Sequence, residues 1–127
     1  MKKILTVLFG LLIFNLSFSI TVIESPSVYK NDKVIGESYI AKFDNEQEKR
    51  QKILSEKEYM MSKDEFNFFL DKDGVAYMAS YSTPIEYTIS FKAFCGDKYI
   101  SVYGNYSYFD DLLKYFLEKT KSYGYNF

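Results

Sequence analysis

The acidic segment Asp71-Lys72-Asp73-Gly74 is the first place where the residue types suggest chemistry, because alternating aspartates before a glycine occur in calcium-binding loops. An EF-hand loop needs oxygen ligands at positions 1, 3 and 5, glycine at position 6 and glutamate at position 12. With Gly74 at position 6, Phe69 takes position 1 and Ser80 takes position 12, and neither supplies the required carboxylate. The segment is therefore predicted to be a plain turn that binds no metal.

Cys95 is the single cysteine of the chain. A catalytic thiol needs a neighbouring base or a cationic environment that stabilises its thiolate. The sequence contains no histidine, and the carboxylate of Asp97 would raise the pKa of the thiol rather than lower it. We therefore expect a structural or free thiol without an intramolecular disulfide, and an intermolecular disulfide is the one functional use left open.

Asp110 and Asp111 are a third candidate, as a catalytic or metal-binding carboxylate pair. Neighbouring residues on a helix point about 100° apart, so these two side chains do not converge on one ligand. Acidic residues in the first turn of a helix are instead stabilised by its dipole. The sequence thus predicts no catalytic, cofactor-binding or metal-binding residue, and it favours a protein that is not an enzyme.

The elements that carry these residues indicate an α+β fold: an antiparallel meander of four to five strands with two helices packed on it. Strands are predicted over residues 33–43, 75–81, 85–93 and 98–104, and residues 20–24 are short and β-rich. Residues 66–70 fit either a strand or a short helix. The strand is favoured because a hairpin-type turn and a plainly alternating segment follow.

Helices are predicted over residues 45–61 and from about residue 108 to Gly124. Each is expected to begin with a capping box, formed by Asp44 with Gln47 and by Ser107 with Asp110. The apolar positions of the first helix are Ile53, Leu54, Met60 and Met61. Those of the second recur at helical spacing and are expected to pack on the sheet: Phe109, Leu112, Leu113, Phe116 and Leu117.

Residues 1–19 have the three-part pattern of an export signal. Lys2 and Lys3 give a positive start, residues 4–14 are apolar, and Ser17 and Ser19 are the small residues that a signal peptidase reads. Cleavage is expected after Ser19, or next after Ser17, which leaves a single α+β domain over residues 20–127. We expect a bacterial type of export, to the periplasm or out of the cell. The alternative is that residues 4–23 remain as a membrane anchor.

The charge of the exported part narrows the classes of partner. Without Lys2 and Lys3 the domain has 14 basic against 17 acidic residues, a net charge of −3. This charge disfavours nucleic acid, which needs a basic surface, and gives no general attraction to anionic membranes. Contact with a membrane is therefore expected only through the N-terminal segment, if it is not cleaved.

The 13 tyrosines provide the one surface hypothesis. On the predicted strand 98–104, Tyr99, Ser101 and Tyr103 share the face opposite Ile100 and Val102, and Tyr106 follows directly. If both helices cover the face of Ile100 and Val102, these four residues form an exposed interaction patch. If both faces of the sheet are covered, they belong to the core.

Two functions follow from this reading. The first is a non-catalytic interaction module of the cell envelope, or a secreted one, that binds a protein partner or another copy of itself. The alternative is a small-ligand carrier with an apolar pocket between the C-terminal helix and the sheet. Four residues are expected to line such a pocket: Phe91, Phe109, Leu113 and Phe116.

Overall fold

The computed structural model of the chain describes residues 20–127, so the predicted signal peptide lies outside the described residues. Within residues 20–127, seven strands and two helices follow one another. The strands are β1 (Ile20–Glu24), β2 (Ser27–Lys30), β3 (Lys33–Phe43), β4 (Glu65–Asp71), β5 (Gly74–Ser82), β6 (Tyr87–Cys95) and β7 (Lys98–Asn105). The helices are α1 (Glu46–Met61) and α2 (Phe109–Ser122), and a short 3₁₀ turn over Tyr106–Tyr108 precedes α2.

The strands form one antiparallel sheet in the order β1-β3-β7-β6-β5-β4, with β2 also paired to β3. This confirms the α+β class and corrects the predicted count of four to five strands to seven. The difference arises because β3 is long enough to pair with two short strands in succession, β1 at one end and β2 at the other. A two-residue turn joins β2 to β3, and both of its residues, Asn31 and Asp32, have positive φ, as a type I′ hairpin requires.

The two helices pack on opposite faces of the sheet. Helix α2 lies over β6 and β7, and α1 contacts β3, β4 and β5 on the other face. Sixteen helical residues extend about 24 Å. The four strand spacings that separate β3 from β4 amount to about 19 Å. Because α1 connects these two strands, it has to cross the whole face, and it buries what lies beneath it.

Helix α1 turns an unusually polar face towards the sheet. Lys49, Glu56 and Met60 are buried and Ile53 is half-buried, whereas Leu54 and Met61 are 62% and 56% exposed. The predicted apolar face was therefore half wrong, since charged side chains occupy two of the inward positions. The cap also differs: the Asn45 side chain accepts a 2.8 Å hydrogen bond from the Glu48 amide, so the helix begins one residue later than a cap at Asp44 implies.

Helix α2 has the predicted inward face, with Leu112 and Phe116 buried against the sheet. The helix begins within about one residue of the predicted position, but the predicted capping box was wrong, because Ser107 is part of the 3₁₀ turn, where its amide and hydroxyl donate to Asn105 Oδ1. Its end agrees with the sequence: Gly124 has a φ of +89°, which ends the helix at the expected glycine.

The meander from β4 to β7 agrees with the alternating patterns, and β4 confirms the strand for residues 66–70. One boundary was placed too early: Ile85 is 95% exposed in the loop before β6, which begins at Tyr87. Among residues 20–127, no helix is long and apolar enough to cross a membrane. Residues 20–23, the end of the alternative anchor, belong to β1.

Candidate functional site: an apolar cavity under the C-terminal helix

An apolar cavity of about 290 Å³ lies between α2 and the sheet. Strands β5 and β6 form its floor and α2 forms its roof. The edge strand β4 contributes one lining residue at the side. The described residues that line it are Phe69, Ala76, Tyr77, Met78, Phe91, Phe109, Leu113, Phe116, Leu117 and Phe127. None of them carries a charge, so the cavity offers a ligand almost nothing but carbon to contact.

Aromatic rings give the cavity its shape. Phe91 projects from β6 and stacks on Phe116 of α2, with their ring centroids 5.4 Å apart. Phe109 meets the same Phe91 ring edge-on at 5.6 Å. Stacked and edge-on pairs of this kind are favourable arrangements that hold the rings in place. Leu113 and Leu117 line the space beside these rings.

The C-terminal tail closes one end of the cavity. The Tyr125 hydroxyl donates a 2.5 Å hydrogen bond to Asp73, and the Asn126 amide donates to Asp71 at 2.8 Å. Both acceptors belong to the β4–β5 hairpin, and this anchoring places Phe127 in the cavity wall. The hydrogen bond to Asp73 raises the pKa of Tyr125 to about 12.

All four residues expected to line a pocket, Phe91, Phe109, Leu113 and Phe116, do line this cavity. The pocket expected from the sequence lacked the six other lining residues, among them Phe69, Met78 and Phe127. For Phe69 and Met78 a signal existed, since alternation along β4 and β5 places them on the face opposite Phe66, Tyr77 and Ala79. For Phe127 there was none, because nothing local indicates that a terminal residue folds back over a hairpin.

The proposed tyrosine patch is not one surface. Tyr99 and Ser101 are 5% and 8% exposed beneath α1, so for these two residues the alternative applies, in which both faces of the sheet are covered and they belong to the core. Tyr103, on the same face of β7, is 46% exposed. Tyr106 lies on the other side of the sheet, where its ring packs 4.4 Å from Tyr87 and 5.5 Å from Phe109. The crossing of α1 is the physical reason that the patch is divided.

A charged cluster lies under α1, beside Tyr99. Glu56 accepts hydrogen bonds from Lys52, at 2.8 Å, and from Lys92 of the central strand β6. Burial by itself raises the pKa of Glu56, but the two lysines outweigh it and hold the pKa below the usual range of a carboxyl. An open cleft of about 370 Å³ adjoins the cluster, yet the charges already satisfy one another. The cluster is therefore an ion network in which the two lysines favour the ionised carboxylate of Glu56.

The remaining chemical candidates do not form a catalytic or metal-binding arrangement among the described residues. Cys95 is buried, and burial, aided by Asp73 and Asp71, raises the pKa of its thiol to about 12, which keeps it protonated at neutral pH. The Asp71–Gly74 segment forms the β4–β5 hairpin turn. Asp111 pairs with Lys30 at 3.0 Å, while Asp110 points to solvent. Within residues 20–127, no three His, Cys, Asp or Glu side chains are placed to hold a metal ion.

Fold and site together define an α+β domain with one helix on each face of an antiparallel sheet and an apolar cavity under the second helix. Comparison of the chain with protein-family models, with curated proteins and with solved structures finds no match in any of the three. The proposed function therefore rests on the geometry of the described residues.

Proposed function

We propose that this chain is a non-catalytic binding domain that takes a small, uncharged apolar ligand into the cavity between α2 and strands β4, β5 and β6. The observation that carries the proposal is the cavity of about 290 Å³ with no charged side chain among its described lining residues. Its size is near the lower end of the roughly 300–1,000 Å³ typical of small-molecule sites. Binding there is driven by removal of apolar surface from water.

The rim of the cavity supports an uncharged ligand. A shallow depression on the outer side of α2 shares Leu113 and Leu117 with the cavity, and its charged residues have both signs: Asp110, Lys114, Glu118 and Lys121. A rim with alternating charges attracts neither an anionic nor a cationic head group preferentially. The ligand is thus selected by its apolar surface and its fit between the phenylalanine rings.

The expected result for Leu113→Gln is a loss of at least about tenfold in affinity for N-phenyl-1-naphthylamine, an uncharged aromatic fluorophore. Leu113 lines the cavity and is only half-buried, so an amide can be accommodated without unfolding while it places a polar group against the ligand. The measurement is a fluorescence titration of the full chain, with thermal unfolding recorded for each variant.

Leu54→Gln is the matched control. It makes the same change on a helix, at a residue that is 62% exposed on α1 and outside the cavity, and it should leave the affinity unchanged. Absence of fluorophore binding to the wild-type chain would refute the proposal. An equal loss in both leucine variants would also refute it, because the binding would then not depend on the cavity.

The site of action is part of the same proposal: the domain works outside the cytoplasm after cleavage behind Ser19. Support comes from the charged, apolar and small-residue pattern of residues 1–19. Expression from Met1 in a bacterial host should yield a protein whose intact mass corresponds to residues 20–127. Replacing both Ser17 and Ser19 with lysine should abolish this processing. A full-length mass for the wild-type chain in the membrane fraction would favour the anchor instead.

A further inference from the structure

The two margins of the sheet differ in how well they are protected against pairing with another strand. At one margin lie β1 and β2, which are five and four residues long, each with a register shift, and Pro26 lies between them. Short strands, irregular register and proline are the usual devices that prevent edge-to-edge association. The other margin, β4, has seven residues in unbroken register with β5 and contains neither proline nor lysine.

Strand β4 is also apolar where it is exposed. Phe68, Phe69 and Leu70 are 56%, 47% and 70% exposed. Phe66, Phe68 and Leu70 share the face on which α1 packs, but only Phe66 reaches the core there. A continuous exposed edge with large apolar side chains is the kind of strand that recruits another strand.

The hairpin turn determines which backbone groups of β4 are free. Asp71 and Gly74 flank a two-residue loop, so they form a hydrogen-bonded pair, and alternate residues back along β4 also bond to β5. The backbone groups of Phe66, Phe68 and Leu70 therefore point away from β5. Within residues 20–127, no strand pairs with that outer side.

From this edge we propose that two copies of the chain associate by pairing their β4 strands antiparallel, with Phe68 at the two-fold axis. In this register Phe68 faces Phe68 of the second copy, and Phe66 faces its Leu70, so every outward-pointing backbone group finds a partner. A shift by two residues in either direction leaves some of these groups unpaired. The strand is thus complementary to itself, which is why the partner is a second copy.

The charges at the two ends of the strand oppose this register. Glu65 comes opposite Asp71 of the second copy, and this happens twice because of the symmetry. The seam is small, so the dimer is expected to be weak and to depend on concentration.

Sedimentation equilibrium of the full chain, produced from Met1, tests the proposal. The average mass of the wild type should rise with concentration from one chain towards two. Phe68→Lys should raise the dissociation constant by about tenfold or more, since two lysines then meet at the axis. Val22→Lys is the control: it adds the same charge at a residue that is 53% exposed on the opposite margin, and it should have no effect.

Two further variants examine the register. Glu65→Lys should tighten the dimer, because it turns both repulsive pairs into attractive ones. Phe68→Cys should form an intermolecular disulfide under mild oxidation, because the two introduced thiols meet at the axis. Val22→Cys should not, because Val22 lies at the opposite margin of the sheet. The native thiol of Cys95 is buried and should not take part. A wild-type mass of one chain at all concentrations would overturn the proposal, as would a dimer that Phe68→Lys leaves intact or Val22→Lys disrupts.

This inference is independent of the ligand proposal. Phe68 lies on the face of the sheet opposite the cavity, so Phe68→Lys should still bind the fluorophore with the wild-type affinity. A wild-type chain that binds the fluorophore but stays a monomer would therefore refute only the dimer, and one that dimerises without binding the fluorophore would refute only the ligand proposal.

Discussion

Replacing Gly104 with alanine is expected to lower the free energy of unfolding by about 3 kcal/mol or more. A Cβ at this position would lie 2.5 Å from the backbone carbonyl oxygen of Ile35 and 2.9 Å from a methyl group of Leu112. The first of these contacts involves main chain and cannot be relieved by a change of rotamer. Strand β3 would have to move away from β7, and the hydrogen bonds at this end of their ladder would lengthen.

Gly36 should behave in the same way, because it is the register partner of Gly104. Its Cβ would lie 2.5 Å from the carbonyl oxygen of Tyr103 and 2.7 Å from the other methyl group of Leu112. The two glycines together form the floor on which the fully buried Leu112 packs. This floor is what allows α2 to approach the sheet closely enough to form the roof of the cavity.

Chemical denaturation measures both effects, and Gly74→Ala provides the comparison. At Gly74 the closest contacts of a Cβ, at 2.7 Å, are with the ring of Tyr125, which can rotate away, although a backbone oxygen lies at 3.1 Å. We therefore expect a smaller loss there, together with a looser C-terminal tail. Gly104→Ala at wild-type stability would mean that β3 and β7 are not as close as described.

The second large effect is expected from Glu56→Leu, which should destabilise the domain by about 3 kcal/mol. Glu56 is 8% exposed, and the side chain of Lys92 is only 15% exposed. Removal of the carboxylate leaves the ammonium group of Lys92 buried on the central strand without its partner. The loss of stability is the cost of keeping an unpaired charge away from water. The apolar surface that leucine buries at this position does not offset this cost.

A double-mutant cycle separates this penalty from the value of the ion pair itself. Glu56→Leu with Lys92→Met removes both buried charges, and its stability should return to within about 1 kcal/mol of the wild type. If the double variant is as unstable as Glu56→Leu alone, the loss comes from packing and not from an unpaired lysine.

The same carboxylate predicts an acid sensitivity. Because the folded-state pKa of Glu56 is lowered, its contribution is present above the ordinary carboxyl pKa and is lost as the pH falls through the lower folded value. The wild type should therefore lose stability at acid pH more steeply than Glu56→Leu. Denaturation curves recorded across the acid range would show parallel losses if Glu56 contributed nothing.

The cluster under α1 also explains why the tyrosine patch could not be assigned from sequence. The face of β7 that contains Tyr99 and Ser101 has polar groups, which is typical of a strand face in contact with solvent. The inward positions of α1 are the charged residues Lys49 and Glu56, and a charged sequence is likewise typical of a helix face in contact with solvent. Each polar surface is covered by the other, and only their mutual hydrogen bonds make this burial possible.

What the sequence by itself determined are the features that depend on neighbours a few residues apart. The hairpin turn after Asp71, the end of α2 at Gly124 and the apolar face of α2 follow from local backbone preference and from helical spacing. That face also predicted the quartet of Phe91, Phe109, Leu113 and Phe116 at the cavity, because an amphipathic helix has to pack on the apolar side of the sheet.

Only the tertiary structure decided the features that depend on chain segments far apart. It placed α1 on the second face, which buried Tyr99, and it folded Phe127 over the β4–β5 hairpin to close the cavity. It also left β4 as the open margin of the sheet. The reason is that strand order and helix side are set by which surfaces meet across the whole domain, and periodicity along the chain does not encode this.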